Sequence, residues 1–236
     1  MPLYTPPPSG SSAAQPQVGV DYRHMAWHAD ALTTALIASG TAALTPTGTA
    51  SALNATTSTV AAPIVIQTTS TTSGNAAGWT NGQQIRPNGA TIDLNYRVVS
   101  DTLSGSMRYW VGIFGATPSA SDNPTSVTGY GFVASSGLGT NWYAWTGNGT
   151  ASTSVDTGVG AFAASGNVRT ISQLRIVVNP ATPSIAFYVN GALKTTITTT
   201  IPALTGGTHN TFVQVTTLSA AARGLGVSRI GYNLYW

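Results

Sequence analysis

The carboxylates are the first residues to consider, because acid–base catalysis and metal binding both depend on them. The chain contains no glutamate, and its six acidic residues are aspartates spread singly from Asp21 to Asp156. Glycoside hydrolysis uses two carboxyl groups that face one cleft, one as the acid and one as the nucleophile or base. No two aspartates are two residues apart, the spacing that places both side chains on one face of a strand. We therefore predict no catalytic residues and a protein that is not an enzyme.

Histidine, serine and cysteine offer little more for metal binding or nucleophilic catalysis. The absence of cysteine excludes disulfides and thiolate ligands. His24 and His28 are four residues apart, a spacing that on a helix places two imidazoles beside one metal ion. They have no glutamate beside them, and His209 is the only further histidine. Serines occur without the G-x-S-x-G turn of serine hydrolases. These observations predict neither a metal site nor a cofactor.

Trp142, Tyr143 and Trp145 form the densest aromatic cluster of the sequence. Successive side chains of a strand point to opposite faces, so at least one of these rings is expected in a core. Two interpretations stay open: packing in the core or at a subunit contact, and an outward ring that stacks on a sugar. The second makes these three residues candidate glycan contacts.

Charged residues make up 6% of the chain, against about a quarter of an ordinary soluble domain. The net charge of +3 reflects scarce acid, since the bases are scattered singly and form no basic run. A nucleic-acid groove is therefore not predicted. No stretch approaches about 20 consecutive apolar residues, which argues against a membrane-spanning helix. The first residues lack the pattern of a signal peptide, so we expect assembly in the cytoplasm.

The N-terminal quarter is interpreted as three successive segments. Residues 1–20 are rich in proline and predict an extended arm. Residues 21–39 predict one short α-helix, with Asp21 as its N-cap and Gly40 at its C′ position. Residues 41–62 are rich in Thr and Ala and are interpreted as a linker. The helix is expected either to dock on its own domain or to meet two copies at a trimer axis. The predicted assembly contacts are Pro6, Pro7, Pro8, Met25, Leu32 and Leu36.

From residue 63 to residue 236, strand patterns recur at the spacing of an all-β domain. Residues 174–178 read as a buried strand. Residues 184–189 and 192–197 are joined by Asn190-Gly191, a strong hairpin signal. The expected architecture is an antiparallel two-sheet sandwich.

Four segments between Trp145 and Trp236 carry a resemblance to a known family: WTGNGTASTSVDTG, QLRIVVNPATPSIAFYVNG, TTTIP and FVQVTTLSAAARGLGVSRIGYNLYW. They resemble concanavalin-A-like jelly-roll domains, notably those of tailed-phage structural proteins, over roughly residues 85–236. The resemblance implies a mostly β jelly-roll sandwich. The same sandwich hosts lectins, glycosidases and inert capsid proteins, so it does not decide the function.

We predict from these observations a non-enzymatic virion structural protein of a tailed phage, most readily a capsid decoration or cement protein anchored by its arm and helix. The alternatives are a tail-fibre or tail-adaptor subunit and a carbohydrate-binding, receptor-binding module. The expected partners are further copies of the chain in a homotrimer, virion proteins such as the major capsid protein, and a host surface glycan.

Overall fold

A computed structural model describes residues 24–30, 44–48, 64–67, 76–81, 89–100, 106–116, 118, 121–162, 169–204, 210–220 and 223–235. For the strands before residue 82 the description concerns the backbone and its pairing. All elements in these ranges are β-strands, and all their pairings are antiparallel. Within the same ranges, none of the structure is a helix of the length and apolarity needed to span a membrane.

The first sheet, sheet A, contains seven strands. They are β1 (His24–Asp30), β3 (Ile64–Gln67), β5 (Thr91–Ser100), β10 (Ile171–Asn179), β11 (Ser184–Val189), β12 (Ala192–Ile197) and β14 (Gly224–Tyr235). Their order is β1-β14-β5-β10-β11-β12. Strand β3 pairs with the first residues of β14, and β1 pairs with the last seven.

The second sheet, sheet B, also contains seven strands. They are β2 (Leu44–Gly48), β4 (Ala76–Asn81), β6 (Met107–Phe114), β7 (Thr128–Ser135), β8 (Asn141–Asn148), β9 (Ser152–Gly160) and β13 (Asn210–Thr217). Their order is β2-β4-β13-β6-β7-β8-β9. The run from β6 to β9 is therefore a meander in which each strand pairs with the next.

The two sheets enclose one apolar core, which the alternating pattern of the strands creates. In β5 the side chains of Ile92, Leu94, Tyr96 and Val98 are buried, while the residues between them are partly exposed. This is the two-residue period of a half-buried strand. Across the core, Phe132 of sheet B meets Phe187 of sheet A edge to face at 5.3 Å. Burying each such side chain contributes about 1.5–3 kcal/mol. The predicted antiparallel two-sheet sandwich is confirmed.

The hairpin predicted at Asn190-Gly191 is confirmed in detail. Both residues adopt left-handed backbone conformations, with φ of 51° and 81°. Val189 and Ala192 pair directly on either side of them. Positive φ at both central residues defines the type I′ turn, whose twist matches that of the flanking strands.

The predicted helix is wrong for residues 24–30, the part of it that the structure describes, because these residues form strand β1. Every residue of β1 has a backbone partner on β14, from His24 with Tyr235 to Asp30 with Arg229. A short isolated helix is marginal in water, whereas this segment gains a full ladder of hydrogen bonds along β14. Tertiary pairing has therefore overridden the helical pattern. The remainder of the helix prediction, residues 21–23 and 31–39, lies outside the described residues.

Two further consequences follow from these N-terminal strands. Residues four apart on a strand are separated by about 13 Å, so the spacing of His24 and His28 no longer suits one metal ion. Strand β2, within the segment interpreted as a linker, pairs with β4 from Leu44 to Gly48. The two sheets thus include residues that precede the boundary predicted near residue 62.

Candidate functional site

Strand β8 carries the predicted aromatic cluster and presents it to two different faces of sheet B. Trp142 points into the core, where its Nε1 donates a hydrogen bond of 2.9 Å to the Oγ of Ser172. Its ring is 1% exposed and contacts Tyr109 and Phe132. The ring face of Trp142 is therefore closed to any ligand, so of the two interpretations left open for this residue, packing in the core holds and stacking on a sugar does not.

Trp145 lies on the outer face of sheet B, yet it is also fully buried. Its ring meets Trp110 edge to face at 5.3 Å and lies 5.8 Å from Phe114. Gly147 makes room for it, since a Cβ there would stand 2.5 Å from Cη2 of Trp145. These rings form a second apolar cluster on the outer side of the sheet. Stacking on a sugar is thus wrong for Trp145 as well.

The segment between β6 and β7 is fastened to this outer face by polar bonds. The Nε of Arg108 donates to Asp122 Oδ1 at 2.5 Å, and the Arg108 side chain is 6% exposed. The neighbouring Asn123 accepts two bonds on its Oδ1, from Trp145 Nε1 at 3.1 Å and from Ser152 Oγ at 2.9 Å. Residues 121–127, called here the cover loop, are therefore tied to β6, β8 and β9.

Beside the cover loop, the outer face of β8 and β9 remains open to solvent. The residues on and beside this face, called here the β8–β9 patch, are Asn141 and Tyr143 of β8, Ser154 and Asp156 of β9, and Asn123 of the cover loop. Tyr143 of β8 is half-buried and stands directly opposite the exposed Asp156 of β9. Ser154 stands opposite Trp145 one step further along the same strand pair. Of the three predicted glycan contacts, Tyr143 alone keeps a partly exposed ring.

The polar atoms of the patch are held in fixed positions. The Asn141 amide donates to both carboxylate oxygens of Asp156, at 3.0 and 3.2 Å. The backbone N–H of Gly158 donates to Asp156 Oδ1 at 2.8 Å. The Tyr143 hydroxyl donates to the carbonyl oxygen of Leu138 at 2.7 Å. The partial burial of Tyr143 and the negative charge of Asp156 raise the pKa of this phenol, so it remains a protonated donor.

Polar groups around the Tyr143 ring have donor or acceptor capacity that their hydrogen bonds do not use. Ser154 Oγ is buried and has no partner among the described residues. Asp156 Oδ2 accepts from Asn141 and retains room for a second donor. Asn123 is exposed, and its two bonds use its oxygen, leaving the amide N–H groups directed away from them. The patch therefore combines an apolar ring with donors and acceptors.

The described part of the chain contains no group of three or more His, Asp or Glu side chains that could hold a metal ion. Three aspartates have described side chains, and each has its own partner. Asp93 lies on sheet A and is bound by Arg175, Asp122 is bound by Arg108, and Asp156 is bound by Asn141. We find no paired carboxylates among them of the kind that glycoside hydrolysis uses.

Of the six predicted assembly contacts, Met25 alone lies in the part of the chain that the structure describes. Met25 belongs to β1, of which the backbone is described, and pairs with Leu234. The other five, Pro6, Pro7, Pro8, Leu32 and Leu36, lie outside the described residues.

Solved structures of very different sequence share this architecture. Peanut lectin superposes with a TM-score of 0.56 at 11% identity, covering 89% of this chain and 97% of the lectin. A protein of unknown function from Shewanella oneidensis gives a TM-score of 0.55 at 11% identity, covering 90% and 87%. The carbohydrate recognition domain of Emp47p gives 0.50 at 10% identity, covering 72% and 81%. The chain has a concanavalin-A-like fold.

The predicted resemblance to concanavalin-A-like domains is thereby confirmed at the level of the fold. No protein-family model and no curated protein matches the sequence. At about a tenth identical, the solved structures establish architecture alone, since one fold hosts many functions. The association with tailed-phage proteins stays a prediction.

The sequence analysis predicted Tyr143 as a candidate glycan contact, but it predicted none of the other residues of the β8–β9 patch. A signal for part of the patch is present, because Ser152, Ser154 and Asp156 alternate along β9 and so share one face. The contribution of Asn123 had no local signal, since it reaches β8 and β9 from a loop some 20 to 30 residues earlier.

Proposed function

We propose that this protein is a carbohydrate-binding domain and that it binds glycans at the β8–β9 patch. The observation that carries the proposal is the half-buried Tyr143 beside the ordered Asp156–Asn141 pair on the outer face of sheet B. The concanavalin-A-like fold shared with peanut lectin supports it.

The chemistry of the patch suits a sugar. A pyranose presents an apolar face of C–H groups that can lie against the Tyr143 ring. Its hydroxyls both donate and accept, so they can donate to Asp156 Oδ2 and accept from Asn123. The distance along β9 from Ser152 to Asp156 is about 13 Å, enough for more than one sugar ring.

Binding without turnover is part of the same proposal. With six aspartates and no glutamate, the chain has few carboxyl groups that could act as a catalytic acid or base. The aspartates whose side chains are described are each bound to a separate partner. Among the described residues, the exposed carboxylate that a ligand at the patch would meet is Asp156.

A glycan array followed by titration calorimetry tests this function. Tyr143→Ala should weaken binding by about tenfold to thirtyfold, the equivalent of about 1.5–2 kcal/mol for the lost ring contact. Tyr143→Phe keeps the ring and should bind within about threefold of wild type. Tyr235→Ala, at an exposed tyrosine on sheet A, is the matched control and should bind normally.

Two results would reject the proposal. One is an array on which the folded wild-type protein binds no glycan. The other is a bound glycan whose affinity is the same for wild type and Tyr143→Ala.

A place in a tailed-phage virion, as a decoration protein or a tail component, is a compatible second proposal. Its support is the sequence: few charges, a Thr- and Gly-rich surface and a proline-rich N-terminal segment. Light scattering and binding to purified particles test it, using the full chain and a variant lacking residues 1–20. The deletion must stop before His24, because β1 belongs to sheet A. A monomeric full chain that binds no particle would exclude an assembly role.

A further inference from the structure

A β-bulge in β14 places one arginine on the outer face of sheet A. Val227 pairs with Val98 and Arg229 pairs with Arg97, so Ser228 is the extra residue between them. Leu225 and Val227 point into the core before the bulge, and Ile230, Tyr232 and Leu234 do so after it. The bulge thus shifts the alternation by one residue and turns Arg229 outward. Bulges often re-aim a side chain at a functional position.

Arg229 is turned outward directly opposite another arginine. Arg97 of β5 is its cross-strand partner, and both belong to the outer face of the sheet. Like charges directly opposite each other destabilise a pair of strands. The chain has only nine basic residues, so this juxtaposition is not the result of a generally basic surface. In addition, Arg97 Nε is buried and has no hydrogen-bond partner among the residues that the structure describes.

A third arginine stands beside this pair. Arg175 of β10 lies two residues from Gln173, the other cross-strand partner of Arg97. It binds Asp93 through two hydrogen bonds of 2.9 and 3.0 Å and lies 5.0 Å from the centre of the Tyr188 ring. Its side chain remains 46% exposed. The guanidinium is therefore oriented, yet open to solvent.

Among the residues that the structure describes, the acidic residues near the three arginines do not balance them. Asp93 is bound by Arg175. Asp30 is the backbone partner of Arg229 on β1. When Asp93 and Asp30 are both counted against Arg97, Arg175 and Arg229, one positive charge remains in excess. Asn95 and Gln173 add neutral side chains on the same face.

We propose that Arg97, Arg229 and Arg175 form a binding site for a phosphate group on the outer face of sheet A. Guanidinium groups bind phosphate through paired hydrogen bonds in a planar fork. A phosphate group between Arg97 and Arg229 would lower the like-charge repulsion that their cross-strand pairing imposes. This site lies on the sheet opposite the β8–β9 patch, so it is independent of the proposed glycan binding.

Thermal unfolding in inorganic phosphate, against chloride at equal ionic strength, tests the site. Phosphate at about twenty times its Kd should raise the Tm of wild type by about 4 °C. Arg97→Gln should lose most of this rise and, without phosphate, should melt at or above the wild-type temperature. Lys194→Gln removes the same charge from the edge strand β12 and should respond like wild type. A phosphorus-31 NMR titration should show phosphate binding at least about tenfold weaker in Arg97→Gln.

The source of the phosphate group is distinguished by sedimentation with phosphatidylglycerol vesicles. Arg97-dependent sedimentation would assign the site to a lipid headgroup, and its absence alongside the Tm response would assign it to a soluble phosphate. If Arg97→Gln fails to fold, Arg229→Gln replaces it with the same expectations. An equal Tm in phosphate and chloride, or an equal rise in wild type and variant, would overturn the proposal.

Discussion

Trp145 and Asn123 are joined by a hydrogen bond of 3.1 Å between the indole Nε1 and the amide Oδ1. The same oxygen accepts from Ser152, so one side chain fastens the cover loop to both β8 and β9. The bond satisfies a buried indole N–H and fixes the rim of the β8–β9 patch.

Replacing Asn123 by Ala should destabilise the protein by about 1–3 kcal/mol, because Trp145 Nε1 is left buried without an acceptor. Asn123→Asp retains an acceptor oxygen and should lose less. Urea unfolding measures both. A free energy of unfolding for Asn123→Ala within about 0.5 kcal/mol of wild type would show that the bond does not hold the loop.

Asp122→Ala should cost about 2 kcal/mol, because it leaves the Arg108 guanidinium buried without its carboxylate partner. Breaking a fully buried pair costs about 3–5 kcal/mol, and the 26% exposure of Asp122 reduces that value. Asp156→Ala removes an equal charge whose hydrogen bonds, from Asn141 and from the Gly158 N–H, are exposed to solvent; it is the comparison variant and should cost no more than about 1 kcal/mol. Equal losses in the two variants, measured by chemical unfolding, would contradict this assignment.

Gly147→Ala should destabilise the protein by about 1–3 kcal/mol through overpacking. The new Cβ would stand 2.5 Å from both the Trp145 ring and the carbonyl oxygen of Val127. Gly160→Ala is the matched control, since nothing lies within 4 Å of its added Cβ, and it should be neutral or stabilising by up to about 1 kcal/mol. Calorimetric Tm values for both variants check the difference in sign.

Stability should fall steeply above pH 10. Burial raises the pKa values of Tyr96 and Tyr130 above their ordinary value of 10.0, and for Tyr130 the nearby Tyr96 adds to the effect. Above pH 10 the unfolded chain releases these protons while the folded chain keeps them. Each tyrosine therefore removes about 1.4 kcal/mol of stability per pH unit. Tyr130→Phe should show a shallower decline in urea unfolding between pH 10 and 12; an unchanged slope would refute the assignment.

Much of the fold was predictable from local sequence. The alternation of Ser184 to Val189 and the Asn190-Gly191 turn predicted the β11–β12 hairpin, because side-chain period and turn geometry depend on neighbours along the chain. The buried strand predicted over residues 174–178 lies within β10, and its apolar pattern is likewise a local property. Antiparallel order followed from short, turn-linked strands.

The N-terminal prediction failed for a reason that local sequence does not contain. Residues 24–30 fit a helical stripe but also alternate as a strand, with Met25, Trp27 and Ala29 at every second position. The partner that decides between the two, β14, is some 200 residues away. Hydrogen bonding along its edge selected the strand.

The sequence by itself determined the structural class of the protein: antiparallel strands joined by turns, with few charged residues. Tertiary structure alone decided which aromatic rings are accessible. It buried Trp142 in the core and Trp145 under the cover loop, and it left Tyr143 beside Asp156. The physical reason is that the burial of a side chain depends on which distant segments of the chain pack against its strand. The alternation of side chains along a strand specifies its two faces, but it does not specify which segments cover them.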